Sequence, residues 1–282
     1  MNTASNPIMT VVVPVYNAPG EVDDCLASVR RTVTDETPVV VIDDASPDPA
    51  VQTLLAARER EAPASWRFLR NSENRGFVET TNRGMQLAAG DVVLLNSDTV
   101  VTSGWLQGLQ RCLASAPAIA TATPWTNNGE IASIPDFCRV NPAPRDPDAV
   151  AAAIAAAGPA AYPDIPTAVG FCMAIARQAI DRIGLFDAEL FGKGYGEEND
   201  FCMRARAAGF RNVLCDDVYI VHLGGRSFGP TGLKPGEESM RRLLSRHPDY
   251  LAIVEDFIGS DPLRPRRRAI LDALRLDGVA IG

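Results

Sequence analysis

The feature that most limits what this chain can fold into is an alternation in its N-terminal part. Short apolar, mostly β-branched runs recur between stretches of helical spacing. Thr10 to Val15 (TVVVPV), Val39 to Ile42, Trp66 to Leu69 and Asp91 to Leu95 read as strands, and continuous apolar runs of this kind suit parallel strands buried on both faces. Between them, Gly20 to Val33 carries Val22, Leu26, Val29 and Val33 at helical spacing. Ala50 to Glu61, Phe77 to Ala89 and Gly104 to Ala116 read as further helices. Strands alternating with helices predict an α/β fold with a doubly wound, mostly parallel central sheet.

The later part is less regular. Asn127 to Pro166 is rich in Pro and Ala and reads as a long connection with one helix, Pro147 to Ala157. A strand follows at Val169 to Ala176, then a helix at Arg177 to Ile183 closed by Gly184. A second helix, Asn199 to Ala208, is stopped by Gly209, a usual residue at a helix C-terminus. Asn212 to Val221 contains a further strand, and the chain from Pro235 onward reads as a helical tail.

In an open α/β sheet, ligands bind outside the carboxyl ends of the strands. Three of the predicted strands end in polar clusters: Pro14-Val15-Tyr16-Asn17, Asp43-Asp44-Ala45-Ser46 and Asn96-Ser97-Asp98. Asp and Asn also cap helices and open turns, but three clusters delivered to one edge predict a binding site there.

Composition narrows the choice of ligand. The 282 residues are 46% hydrophobic and 22% charged, with a formal net charge of −8. That balance belongs to a globular chain with a sizeable core. It disfavours nucleic acid, whose phosphates an acidic protein repels. The six cysteines include no C-x-x-C pair, so a zinc or redox motif has no support. No N-terminal pattern of a signal peptide and no long apolar span is evident, so a cytoplasmic protein without a membrane span is expected, with peripheral contact at the inner face of a membrane left open. The cluster Arg264, Arg266, Arg267 and Arg268 reads as a solvated helix start, or else as a docking patch.

The motifs VVVPVYN, VIDDAS, ENRGF, LLNSDT, GFCMAIAR, GLFDAELF, GEENDFCMRARAAGF and IVHLGG follow one another in this order. The series resembles family-2 glycosyltransferases of the GT-A fold, from about residue 10 to residue 228. The resemblance implies inverting transfer of a sugar from a nucleotide diphosphate donor, a UDP-sugar above all, to the hydroxyl of a glycan, lipid-linked or small-molecule acceptor. It also implies a divalent cofactor, Mn²⁺ or Mg²⁺, to neutralise the leaving diphosphate. On this reading residues 1–229 form the transferase domain, with a nucleotide-sugar half (about 8–125) and a smaller acceptor-side half (126–229). Residues 230–282 form a helical extension, and a homo-oligomer is left open.

The roles that the resemblance implies fall on particular positions. Asp98 takes the place of the metal-binding carboxylate of the family's Asp-x-Asp motif, and Asn96 stands where many members carry its first Asp. His222, before Leu223-Gly224-Gly225, is placed as a second metal ligand. Pro14, Tyr16, Asn17, Asp43, Asp44, Asn74, Arg75, Asn96 and Ser97 are expected around the nucleotide. In the acidic motif, Glu198 occupies the usual position of the general base and Asp200 is the alternative. Gly192 to Gly196 is expected to shape the acceptor pocket, and Trp125 is a candidate for stacking on a sugar. A non-catalytic partner subunit that only binds nucleotide sugar is the competing reading, motivated by Asn96 and Glu198. A sugar nucleotidyltransferase lacks support because no Gly-rich basic loop follows the first strand, and a dehydrogenase because no G-x-G-x-x-G does.

Overall fold

The computed structural model describes residues 9–224 and 237–281. Gly225, the start of the tail at Pro235 and the expected boundary near residue 229 lie outside the described residues.

An eight-stranded sheet organises the chain, in the order β3-β2-β1-β4-β7-β6-β8-β5. Its strands are β1 (Thr10–Val15), β2 (Val39–Asp43), β3 (Trp66–Arg70), β4 (Val92–Leu95), β5 (Thr99–Val101), β6 (Ile119–Trp125), β7 (Cys172–Ile175) and β8 (Arg211–His222). The first four are mutually parallel, as the Val-rich runs predict. Strand β7 runs against β4 and β6, and β5 runs against β8, so six of the eight strands share one direction. The architecture is therefore α/β with a mostly parallel sheet. Strands β5 and β6 were not among the expected elements, and the strand expected at Val169 to Ala176 is confined to Cys172–Ile175.

The crossings are made by α1 (Pro19–Thr32), α2 (Pro49–Glu61), α3 (Phe77–Leu87) and α4 (Trp105–Ala114). Their starts follow local chemistry. Pro stands in the first turn of α1 and α2, where no N–H is needed. The Asp48 side chain caps α2 by accepting from the Ala50 amide at 2.9 Å. Beyond β6 come α5 (Pro147–Ala156), α6 (Arg177–Ile183), α7 (Ala188–Phe191) and α8 (Glu197–Ala207). Helix α8 begins two residues earlier than its sequence suggests. Gly196 adopts φ 98° at its N-cap, so Glu197, Glu198 and Asp200 all lie in the first turn.

The tail folds into three helices, α9 (Glu237–Arg246), α10 (Tyr250–Ser260) and α11 (Arg264–Leu276). Leu263, Ile270 and Leu274, at the start of α11 and within it, are buried in a second hydrophobic cluster with Val150 and Ile154 of α5 and Tyr219 and Val221 of β8. The main cluster is built on β1, β2, β4 and β7. Two expectations are corrected here. The arginine cluster is not a wholly solvated helix start: Arg266 reaches buried Asp216, and Arg267 pairs with Asp261 at 2.7 Å and lies over the Phe137 ring. Trp125 is fully buried, with its indole N–H on the Asp216 carbonyl, so it presents no face to a sugar.

Candidate active site

At the sheet's carboxyl edge lies a cavity of about 640 Å³. Pro14 and Tyr16 enter it from the end of β1, Asp44 from the end of β2, and Asn96, Ser97 and Asp98 from the turn after β4. Asn74 and Gly76 contribute at the start of α3. The loop Lys193 to Tyr195 and the acids Glu197 and Glu198 close the opposite wall, and His222 completes it from the end of β8.

Sheet pairing explains why Asp98 meets His222. Strand β5 pairs antiparallel with β8 in the register Thr99↔His222, and the Leu223 amide donates to the Asp98 carbonyl at 2.9 Å. The Asp98 carboxylate, in a residue only 4% exposed, stands 3.6 Å from His222 Nε2. His222 is held from three sides. Its amide donates to the Asn127 side chain at 2.9 Å, its ring stacks on Phe171 with centroids 5.2 Å apart, and its Nδ1 lies 2.5 Å from the Asn128 carbonyl. A carbonyl only accepts, so Nδ1 carries the proton of the neutral ring and Nε2 turns its lone pair toward Asp98. Burial disfavours the charged ring, but the neighbouring Asp98 carboxylate outweighs it and lifts the pKa of His222 above its ordinary value, so a cation at Nε2 would displace a proton that Asp98 favours there.

A carboxylate and an imidazole lone pair at this separation suit two ligands of one divalent cation. Among the described residues, no group of three or more His, Cys, Asp and Glu side chains is arranged to hold a metal. The protein side thus offers two donors, leaving the other positions to substrate oxygens and water.

The Asp43–Asp44 pair is occupied with structure. Asp43 pairs with Arg70 and accepts from the Ser46 amide at 2.9 Å. Asp44 accepts from Asn71 at 2.7 Å and from the amides of Arg75 and Gly76 at 2.9 and 2.8 Å. Asp44 thereby pins the turn into α3 while still facing the cavity. Asn17, Asp43 and Arg75 do not line it: Asn17 accepts the turn conformation φ 58° with its amide on Ser46, and Arg75 is exposed beside Glu79.

The acids of α8 divide in two. Glu197 and Glu198 face the cavity, and each leaves one carboxyl oxygen, Oε2, buried without a partner. Burial pushes both carboxyl groups above the ordinary value of 4.5, Glu197 well above it with a further contribution from the charge of Glu198. Asp200 points elsewhere. It is fully buried, and its carboxylate meets Arg204 at 2.7 Å, Arg246 at 3.1 Å and His247 at 2.9 Å. It does not line the cavity.

Several residues of the site carried no signal of their own in the sequence. Glu197 adjoins the expected base and was detectable by that adjacency. Phe171 lies within GFCMAIAR, and Lys193 and Tyr195 lie within the Gly-rich segment already expected to shape the pocket. Nothing local marks Asn128 as the partner of His222, or His247 as the partner of Asp200.

Residues 10–184 match the family model described as glycosyl transferase family 2, more than half of the chain, and the chain belongs to that family. Among curated proteins it is similar to the uncharacterized protein MT1568 of Mycobacterium tuberculosis (strain CDC 1551 / Oshkosh). That match is 29% identical over 108 residues, or 38% of this chain and 33% of the relative. It is also similar to the uncharacterized glycosyltransferase EpsJ of Bacillus subtilis (strain 168), 23% identical over 104 residues, or 36% of this chain and 29% of the relative. The matched segment spans about a third of each curated relative's length.

Solved structures share the fold. GalNAc-T7, solved with UDP, GalNAc and Mn²⁺, aligns with a TM-score of 0.61 at 15% identity, over 88% of this chain and 52% of that one. The mannosyltransferase PcManGT of Pyrobaculum calidifontis, in complex with GDP-Man and Mn²⁺, aligns at 0.56 and 18% identity, over 98% and 77%. TarS 1–349 of S. aureus, in complex with UDP-GlcNAc, aligns at 0.61 and 17% identity, over 89% and 71%. Among the described residues, no helix is long and apolar enough to cross a membrane.

Proposed function

We propose that this chain transfers a sugar, with inversion, from a nucleotide diphosphate donor to a hydroxyl acceptor, and that a divalent ion assists departure of the diphosphate. One observation carries the reading. A single cavity gathers the Asp98–His222 pair and the Glu197–Glu198 pair, each facing the other's space. The first pair suits a cation and the second suits the proton transfer that glycosyl transfer requires. The family supports glycosyl transfer, and GalNAc-T7, PcManGT and TarS bind nucleotides or nucleotide sugars, the first two with Mn²⁺.

In this reading Asp98 and Nε2 of His222, once free of its proton, would hold the ion, which would supply charge neutralisation at the diphosphate oxygens. Pro14, Tyr16 and Asn74 flank the nucleotide, and Asn96 and Ser97 lie beside it next to the metal pair. Glu198 takes the proton of the acceptor hydroxyl as its oxygen attacks the anomeric carbon and the bond to the diphosphate oxygen breaks. Its partly buried setting keeps the carboxylate poorly hydrated, and a base with a raised pKa is the stronger proton acceptor. Asp200 is the weaker candidate for the base, because its oxygens are already taken by two arginines and a histidine away from the cavity.

Calorimetric titration of UDP, GDP and dTDP, each with and without Mn²⁺, tests the reading. Binding of one nucleotide only with Mn²⁺ names the donor class. Failure of all three to bind leaves a partner subunit without donor chemistry as the better account.

A further inference from the structure

The three C-terminal helices lie beyond the residues that match the family, yet one of them grips the elements that carry the acids of the cavity. Helix α9 makes two sets of contacts. On α7, Arg242 donates to the Leu190 carbonyl at 2.7 Å, and Arg246 pairs with Asp187, the N-cap of that helix, at 2.8 Å. On α8, Arg246 and, just after α9, His247 both reach Asp200 Oδ1, at 3.1 and 2.9 Å. Arg204 takes the other oxygen at 2.7 Å and ties it to the carbonyls of Ile183 and Leu185.

These contacts hold both ends of one short loop. Helix α7 ends at Phe191 and α8 begins at Glu197, and the residues between them wall the cavity. Within that loop Gly192, Gly194, Tyr195 and Gly196 all adopt positive φ, at 57°, 142°, 74° and 98°. A backbone of this kind has no regular ladder to fix it, so its anchors decide where it lies. Asp200 is two residues from Glu198 on the same helical turn. A shift of the Asp200 anchor therefore moves the Glu197–Glu198 pair with it.

We propose that α9 is a positioning element for the transfer step: Arg246 and His247, acting through Asp200, set where the Glu197–Glu198 pair stands in the cavity. The inference rests on the reading of Glu198 as base. Misplacing a reacting group by about 1 Å can cost on the order of 100-fold in rate. The metal and nucleotide side is built from the ends of β1, β2, β4 and β8 and the start of α3, and none of the described hydrogen bonds of α9 reaches those elements. The anchor should therefore act on turnover and leave nucleotide affinity alone.

The test uses the full chain and four variants, Arg246→Ala, Arg246→Lys, His247→Ala and His247→Gln. Calorimetry reads binding of the nucleotide with Mn²⁺. A panel of nucleotide sugars, with UDP-GlcNAc and GDP-mannose included, reads nucleoside diphosphate release to water. The two alanine variants should lose about 10- to 100-fold in kcat with nucleotide Kd and donor KM kept within about twofold. His247→Gln, which keeps an N–H donor near the position of Nε2, should recover most of the rate.

Unchanged kcat in the alanine variants overturns the proposal, and so does a fall in kcat matched by an equal loss of nucleotide binding. Should the alanine variants fail to fold, Arg246→Lys decides. It keeps the charge beside buried Asp200 but cannot reach Asp187 and Asp200 together, and an undiminished kcat there also overturns the proposal. A wild-type chain that neither binds a nucleotide nor releases one from any donor overturns instead the functional reading beneath it.

Discussion

His222 Nε2 stands 3.6 Å from Asp98 Oδ1 while its Nδ1 is held 2.5 Å from the Asn128 carbonyl. The second contact keeps a proton on Nδ1, so loss of the proton that Asp98 favours on Nε2 leaves an oxygen and a nitrogen lone pair side by side. Replacing Asp98 by Ala should nearly abolish turnover and remove the Mn²⁺ dependence of nucleotide binding. His222→Ala should raise the Mn²⁺ concentration for half-maximal activity by at least about tenfold, the low end of what changes around a metal ligand cost. A metal titration of each variant checks this. An unaltered Mn²⁺ requirement in His222→Ala would return His222 to a purely structural role against Phe171.

Glu198 and Asp200 are separated by their surroundings. Glu198→Gln should keep nucleotide binding while kcat falls by about 10² to 10⁴, the range of a lost general base. Asp200→Asn should behave differently. It leaves Arg204, Arg246 and His247 around a neutral amide, and breaking a buried ion pair from one side costs about 3 to 5 kcal/mol of stability. Its signature is a lowered melting temperature. If Asp200→Asn melts normally and loses turnover while Glu198→Gln stays active, the base is Asp200.

The two glutamates also set a pH dependence. Glu198 must be ionised to act as base, and burial raises its pKa above 4.5, so kcat/KM should rise with pH through a midpoint above the ordinary carboxylate range. Stability runs the other way. Glu197 has a folded pKa well above its unfolded value. Its contribution is fully present below pH 4.5 and is lost as pH rises through the folded pKa. Glu197→Gln cannot ionise, so its melting temperature relative to wild type should be higher at neutral pH than at pH below 4.5. Thermal melts across that window, with equal differences at both ends, would rule out a neutral Glu197.

What the sequence disclosed, and what it hid, follows from where each signal resides. Strands β1 and β2 are buried on both faces, so Thr10–Val15 and Val39–Asp43 were legible almost to the residue as Val-rich runs. Strand β6, IATATPW, is mostly Ala and Thr with a Pro near its end, and only its pairing between β7 and β8 makes it a strand. The polar turns after β1, β2 and β4 were legible as clusters, because strand ends are local. The partners of His222 and Asp200 were not. Asn127 and Asn128 lie 95 and 94 residues from His222, and His247 lies 47 from Asp200. No local spacing encodes such pairs. The inward turn of Trp125 was hidden for the same reason, since a Trp beside a polar turn reads alike whether its ring faces solvent or core.

Gly76 ties the nucleotide side of the cavity to the loop that covers it. It opens α3 with φ 84°, its amide donates to Asp44 at 2.8 Å, and the Phe77 amide donates to the Lys193 carbonyl at 3.0 Å. A Cβ at this position would lie 2.6 Å from Lys193 Cα, which is backbone and cannot swing aside. Gly76→Ala therefore carries two penalties, a left-handed backbone and a steric conflict, each about 1 to 3 kcal/mol. The conflict falls on the loop at residues 192–196, so the cheapest relief is to lift that loop from the cavity. The variant should stay folded, turn over more slowly and show faster amide exchange at Lys193 to Gly196 than in the wild type. Unchanged exchange there with unchanged turnover would mean that the loop does not depend on its seat over Gly76.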